Sequence, residues 1–227
     1  MTVLNQFSLK GKRALVTGGE GLMGKMICET IRELGGIPHS VDIQKSALHC
    51  CNIIDYHSVS LLAGQFEKAD IIINNAVGNQ KPVSYVFTGW EKDIAIGLTG
   101  AMNMLTAFER HLKASNGVVL NIGSDLSLIG PDQSLYEHGS MKPLSYSVVK
   151  HGMVGMTRYF ASLWGGQVRV NCLCPGGVDQ GQTVPRCPMG RLARLEEMKG
   201  PVAFLISEAS SYLTGSILSV DGGRTSC

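Results

Sequence analysis

The sequence predicts an α/β fold, a doubly wound parallel sheet with helices on both faces. Three observations predict it. Short β-branched or apolar runs alternate with longer helical stretches along the whole chain. One run, Ile71-Ile72-Ile73-Asn74, is apolar without alternation, as a strand is when both its faces are buried. The 227 residues also show no repeat, linker or composition shift, so 1–227 reads as one domain. Alternation of this kind implies a parallel sheet because parallel neighbours need helix-sized crossovers.

The elements follow in order. Arg13-Ala14-Leu15-Val16-Thr17 is a first strand that stops at glycines. Residues 22–34 have helical periodicity and end at Gly35-Gly36, a natural C-terminal cap. Residues 37–42 read as a second strand and 71–74 as the third, with a helix over 58–66 between them. Further strands are predicted over 117–122, 168–172 and 217–220, and helices over 97–111, 146–163 and 195–207.

Composition excludes several classes of protein. Apolar residues make up 44% and charged residues 17%, which is not the balance of a disordered chain. Net charge is +2 with no long basic run, so nothing predicts a nucleic-acid partner. No apolar stretch approaches the ~18 residues of a membrane span. The first twelve residues lack the apolar core of a signal peptide, and the expectation is a cytoplasmic protein. The seven cysteines, including Cys50-Cys51 and Cys172-x-Cys174, fit free structural thiols in a reducing compartment. The histidines form no ligand-spaced set, and no metal is expected.

The first strand runs into Thr17-Gly18-Gly19-Glu20-Gly21-Leu22-Met23-Gly24. Gly19, Gly21 and Gly24 spell G-x-G-x-x-G at a strand-to-helix turn, where glycines let a pyrophosphate approach the free N–H groups of a helix N-terminus. Asp42 ends the second strand, eighteen residues after Gly24. A carboxylate there accepts hydrogen bonds from ribose hydroxyls and repels a 2′-phosphate, so NAD is expected over NADP. Together they make the predicted fold a Rossmann-type dinucleotide fold. Farther on, Tyr146 and Lys150 stand four residues apart at the start of a helix and share one face. A lysine ammonium near a tyrosine favours the phenolate, and such a pair can move a proton to or from a carbinol oxygen.

With these residues the chain resembles the short-chain dehydrogenase/reductases over essentially its whole length. The matching residues are the turn from Thr17 to Gly24, Asp42, Asn74-Asn75-Ala76, Asn121-Ile122-Gly123-Ser124, the stretch from Tyr146 to Lys150, Arg169-Val170-Asn171 with Pro175-Gly176, and the closing Ser210-Ser211-Tyr212-Leu213-Thr214-Gly215 and Val220-Asp221-Gly222-Gly223. The resemblance implies Tyr146 as the acid/base, Lys150 lowering its pKa and holding the nicotinamide ribose, and Ser124 steadying the substrate oxygen. It implies that Gly18, Gly19, Gly21, Leu22, Met23 and Gly24 hold the pyrophosphate and Asp42 the adenosine ribose. Asn52 stands near the adenine, Asn74 and Ala76 line the cofactor, and Pro175, Gly176 and Val178 meet the nicotinamide end. It also implies a homo-oligomer, a tetramer or a dimer. The run from Lys142 to Lys150, with Pro175-Gly176-Gly177-Val178 and the stretch from Asp221 to Thr225, further resembles bacterial flagellin-modification or surface-sugar oxidoreductases.

Four departures from the family pattern stand out. Leu22 replaces a glycine, giving a spacing closer to the extended branch, although the chain is too short for that branch's added C-terminal region. Gly97 replaces the asparagine that usually links the lysine to water, and the expectation is a relay through water bound in the space left. The stretch between Ser124 and Tyr146 is long and carries Tyr136, Glu137, His138 and Lys142. It is either a polar mouth for a hydroxylated or phosphorylated substrate or a solvated or interface loop. The segment after Pro175-Gly176 is short for a substrate lid. The predicted function is NAD-dependent oxidation of a secondary alcohol to a ketone, and its reverse, on a sugar-like small molecule. The alternatives are an NADPH-dependent 3-oxoacyl-carrier-protein reductase and a non-catalytic dinucleotide-sensing protein.

Overall fold

The computed structural model describes residues 2–78 and 81–226. The six predicted strands form: β1 (Arg13–Thr17), β2 (Ile37–Asp42), β4 (Ile71–Asn74), β5 (Val118–Ile122), β6 (Arg169–Pro175) and β7 (Ile217–Val220). A seventh, β3 (His49–Cys50), pairs with β2 and is too short to carry a periodic signal. Among the described residues the seven strands pair in parallel, in the order β3-β2-β1-β4-β5-β6-β7. The strand order reverses between β1 and β4, which opens a crevice at the carboxyl ends of the strands.

The crossovers are α2 (Leu22–Glu33), α3 (Tyr56–Ala63), α5 (Gly100–Ser115), α6 (Leu144–Leu163) and α7 (Lys199–Ile206). Successive side chains of a strand point to opposite faces, so each strand feeds two cores. Leu15, Ile72, Val119 and Val170 face α3, α5 and α6, where they meet Phe108, Phe160 and Trp164. Val16, Ile73 and Leu120 face the other way, towards Ile27 and Ile31 of α2 and Val202 and Leu205 of α7. That two-sided burial is why the strands read as continuous apolar runs.

Short elements depart from the sequence expectation. Residues Val3–Gln6 form one helical turn, α1, capped by the Thr2 side chain. The turn α4 (Trp90–Ile94) and a π-helical turn (Ala95–Thr99) precede α5, and a 3-10 turn (Leu195–Met198) precedes α7. Cys172 and Cys174 lie fully buried on one face of β6 with their sulfurs 3.8 Å apart, and the six described cysteines are free. Cys227 lies outside the described residues. Among the described residues no helix is long and apolar enough to cross a membrane.

Candidate active site

A cleft of about 1540 Å³ opens over the crevice. Its floor begins at the glycine turn. Gly18 adopts φ +63°, a left-handed conformation that costs glycine little, and its N–H donates to the Val41 carbonyl at 2.9 Å. A side chain on Gly24 would run into the Gly18 carbonyl, and one on Gly19 would stand 2.6 Å from Ser40 Cβ. The turn is therefore packed directly on the start of α2. Gly21 is the helix N-cap and provides no side-chain cap, so the first N–H groups of α2 are left for a ligand. Leu22 and Met23 border the cleft there. This cradle fits a pyrophosphate, and a dinucleotide along the cleft would be held by the turn at its centre.

Asp42 also lines the cleft, with Oδ2 accepting from the Glu20 N–H and Oδ1 from the Gln44 N–H, both at 3.2 Å. Asn52, Ala76, Pro175, Gly176 and Val178 border the same space. Gly19, Gly24 and Asn74 do not. The two glycines act through close packing. Asn74, expected to line the cofactor, is instead buried, donating from Nδ2 to Asn121 Oδ1 at 2.9 Å, while Asn121 Nδ2 donates to Thr157 Oγ1 at 2.9 Å. Its neighbour Asn75 reaches the cleft and donates to the Thr17 and Gly18 carbonyls at 2.9 and 3.1 Å, fastening the turn to β4.

Ser124, Tyr146 and Lys150 meet at the far end of the cleft. Ser124 follows β5, and the other two rise from the first turns of α6. The Ser124 hydroxyl stands beside the Tyr146 phenol and favours its ionised form. Lys150 Nζ donates to the Ile122 carbonyl at 2.7 Å and lies 5.6 Å from the centre of the Tyr146 ring. The electrostatics differ from the expectation that this lysine lowers the tyrosine pKa. Burial pushes the phenol up to about 12, with the neighbouring Ser124 hydroxyl working against that and the Asp125 charge adding to it. Burial also pulls Lys150 down to about 8. An ammonium turned to a carbonyl and itself desolvated does not outweigh the burial of the phenol. The phenol is thereby kept in its neutral form.

The mouth of the cleft includes Tyr136, Glu137 and Lys142, while His138 is not on it. Lys142 Nζ sits 4.1 Å above the Tyr146 ring centre, a cation–π contact. Sequence reasoning missed Asp125 and Arg224. Ser124 Oγ donates to Asp125 Oδ1 at 2.8 Å, and Arg224 Nη1 donates to Asp125 Oδ2 at 2.6 Å. An acid beside Ser124 was the one available signal. Among the described residues no group of three His, Cys, Asp or Glu side chains is arranged to hold a metal.

A family model described as enoyl-(acyl carrier protein) reductase matches residues 46–225, most of the chain. The chain belongs to the short-chain dehydrogenase/reductase family. It is similar to the 2-dehydro-3-deoxy-D-gluconate 5-dehydrogenase of Bacillus subtilis, at 29% identity over 96% of each chain. A short-chain type dehydrogenase/reductase from Mycobacterium marinum superposes with a TM-score of 0.88, at 25% identity over 99% of both chains. A Beutenbergia cavernae protein assigned as an NAD(P)-dependent gluconate 5-dehydrogenase, solved with NADP at low occupancy, gives a TM-score of 0.84 at 27% identity over 98% of this chain and 100% of that one. This short-chain dehydrogenase/reductase is thus an oxidoreductase, and a purely sensing role falls away.

One departure from the family pattern now has a physical reason. Gly97 lies in the π-helical turn, and a Cβ there would overlap the Val149 side chain of α6. Val149 is buried and fills the space that the asparagine of other members would need. The expectation of a water in that space is corrected: valine methyl groups stand there.

Proposed function

We propose that this enzyme interconverts a secondary alcohol and a ketone on a polar, sugar-like substrate, with NAD(H) preferred to NADP(H). One observation carries the reading. The Tyr146 phenol, beside Ser124 and one helical turn from Lys150, shares a single cleft with the glycine turn. A bound nicotinamide supplies the hydride acceptor or donor. Tyr146 gives a proton to the carbonyl oxygen in reduction and takes it from the carbinol in oxidation. Ser124 holds that oxygen in place, and Lys150 binds the ribose beside it. Because the resting phenol is neutral, oxidation speeds up as pH rises and reduction slows.

Asp42 supports NAD, since its carboxylate disfavours a 2′-phosphate. Tyr136, Glu137 and Lys142 offer hydrogen bonds to a hydroxylated substrate at the cleft mouth, where loops of the C-terminal half of the chain form the substrate side. The named substrates of the Bacillus subtilis and Beutenbergia cavernae relatives, gluconate and a gluconate derivative, support the same class. We further propose a cytoplasmic homo-oligomer. A second reading, an NADPH-dependent 3-oxoacyl-carrier-protein reductase, draws support from the description of the matching family model. The test is NAD-dependent oxidation of a polyol and sugar-acid panel by wild type and Tyr146→Phe. Turnover lost in the variant, with NADH binding intact, supports the proposal. Full turnover by Tyr146→Phe would sink it, and tighter binding of NADPH than NADH would favour the acyl reductase.

A further inference from the structure

We propose that Lys142 determines specificity, and that the substrate carries an acid group, a carboxylate or a phosphate, within a few bonds of the carbon that reacts. The inference rests on reading Tyr146 as the group that meets the reacting oxygen. It adds a charge and a position to the polar substrate of that reading. Lys142 Nζ stands 4.1 Å above the centre of the Tyr146 ring. Only the ring radius and one C–O bond separate that centre from the phenol oxygen. One small molecule can therefore touch both, with a carbinol on the phenol and an acid group on the ammonium. A neutral polyol would use the ammonium only as a hydrogen-bond donor, whereas an acid group also meets its charge.

Two observations favour the acid. The first is burial. The Lys142 side chain is half-buried, and burial lowers its pKa, with the Asp125 charge working the other way. An ammonium partly withdrawn from water gains more from an anion than an exposed one does. Asp125 itself is drawn elsewhere, since Oδ1 accepts from Ser124 Oγ at 2.8 Å and Oδ2 from Arg224 Nη1 at 2.6 Å. The second is the balance of charge. This end of the cleft is lined by Lys142, Lys150 and Arg224 against Asp125 and Glu137. Glu137 is exposed, where water and salt screen it.

The chain also holds Lys142 in place. Met141, just before it, bridges to Val83 with an N–H···O bond of 2.9 Å in each direction. The Lys142 N–H donates to Gln133 Oε1 at 3.1 Å. Pro143 follows, buried at the N-cap of α6. With the backbone fixed on both sides, less order has to be imposed when a ligand binds. The placement differs from that of a gluconate 5-dehydrogenase, the activity in the names of two relatives, where several carbons separate carbon 5 from the acid. The rival account is that Lys142 only packs over the ring and braces its loop. That account predicts changes in stability, or in all ligands alike, when the ammonium is removed.

The experiment is calorimetric titration of the enzyme saturated with the reduced cofactor it binds more tightly, so that no alcohol is oxidised. Two matched pairs serve as probes: tartrate against threitol of the same configuration, and glycerol 3-phosphate against glycerol. In both acids the charged group adjoins a carbinol. The acid of at least one pair should bind about tenfold more tightly than its neutral partner, and the advantage should shrink as salt rises. The pair that shows it identifies carboxylate or phosphate. Lys142→Met should abolish the advantage and Lys142→Arg should keep most of it. No acid advantage in wild type overturns the inference without any variant, and an advantage that survives in Lys142→Met assigns the charge to another residue and overturns it too. If Lys142→Met does not fold, Lys142→Gln removes the charge in its place. A third comparison tests the position: 3-hydroxybutyrate should bind more tightly than 5-hydroxyhexanoate, and the reverse order overturns the short spacing. Retention of turnover by Tyr146→Phe is a separate outcome. It defeats the underlying reading and leaves the binding ratios to judge Lys142.

Discussion

The two ends of the cleft are built by opposite means. The nucleotide end uses backbone: a left-handed Gly18, a Gly24 pressed on the Gly18 carbonyl and an uncapped helix N-terminus. The other end uses side chains, with Lys150 buried and Tyr146 half-buried in the cleft wall. Tyr146 and Lys150 are both shifted by burial, and an ion pair stands beside Ser124. One end is limited by space and the other by charge, so the two should fail in different ways when altered.

The largest contrast is expected at Lys150. Its pKa is pulled from 10.5 to about 8, so between those values the unfolded chain binds more protons than the folded one. Stability then rises with pH through that window, and below it the folded state carries the full cost of a buried ammonium, ~3 kcal/mol. Lys150→Met should abolish the rise and lower turnover by ~10²–10⁴. Tyr146 has the opposite sign. Its pKa is raised from 10.0 to about 12, so the folded state keeps its proton longer and stability falls with pH across that window. Thermal melts against pH for wild type, Lys150→Met and Tyr146→Phe check both slopes.

At the nucleotide end the expected failure is steric and independent of pH. Gly24→Val should destabilise by ~1–3 kcal/mol and weaken NADH binding severely, as read by melting and fluorescence titration. A pH-dependent loss there would break the contrast. Gly97→Asn, which restores the family residue, should cost a similar ~1–3 kcal/mol because Val149 fills the space. Adding Val149→Ala should recover part of the loss, and a double variant no more stable than the single one would show that the obstruction lies elsewhere. The smallest effect is expected from Asp42→Ala. It should shift the NADH-to-NADPH affinity ratio by about tenfold, ~1.4 kcal/mol, with turnover intact once the cofactor saturates.

The same contrast explains what could be read from the sequence. The glycine turn was legible because a backbone conformation and a close approach demand a residue type. The strands were legible because burial on two faces removes alternation. Strand β3 was not, since two residues carry no period. Ser124, Tyr146 and Lys150 could be found from spacing and resemblance, but their electrostatics could not. Whether Lys150 lowers the phenol depends on how deeply both are buried, which is a tertiary property. Asn74 was misplaced because it adjoins a residue that does reach the cleft. Asp125 and Arg224 are 99 positions apart, and no local pattern joins them.

The buried chain from Asn74 through Asn121 to Thr157 has a consequence for how the molecule comes apart. It crosses from β4 to β5 and on into α6, so it ties the half that carries the glycine turn to the half that carries Tyr146. Opening either half alone would strand amide groups in a dry interior. The backbone amides of these three elements should therefore exchange with solvent deuterium only through a shared opening. The two ends of the cleft differ in construction but belong to a single cooperative unit.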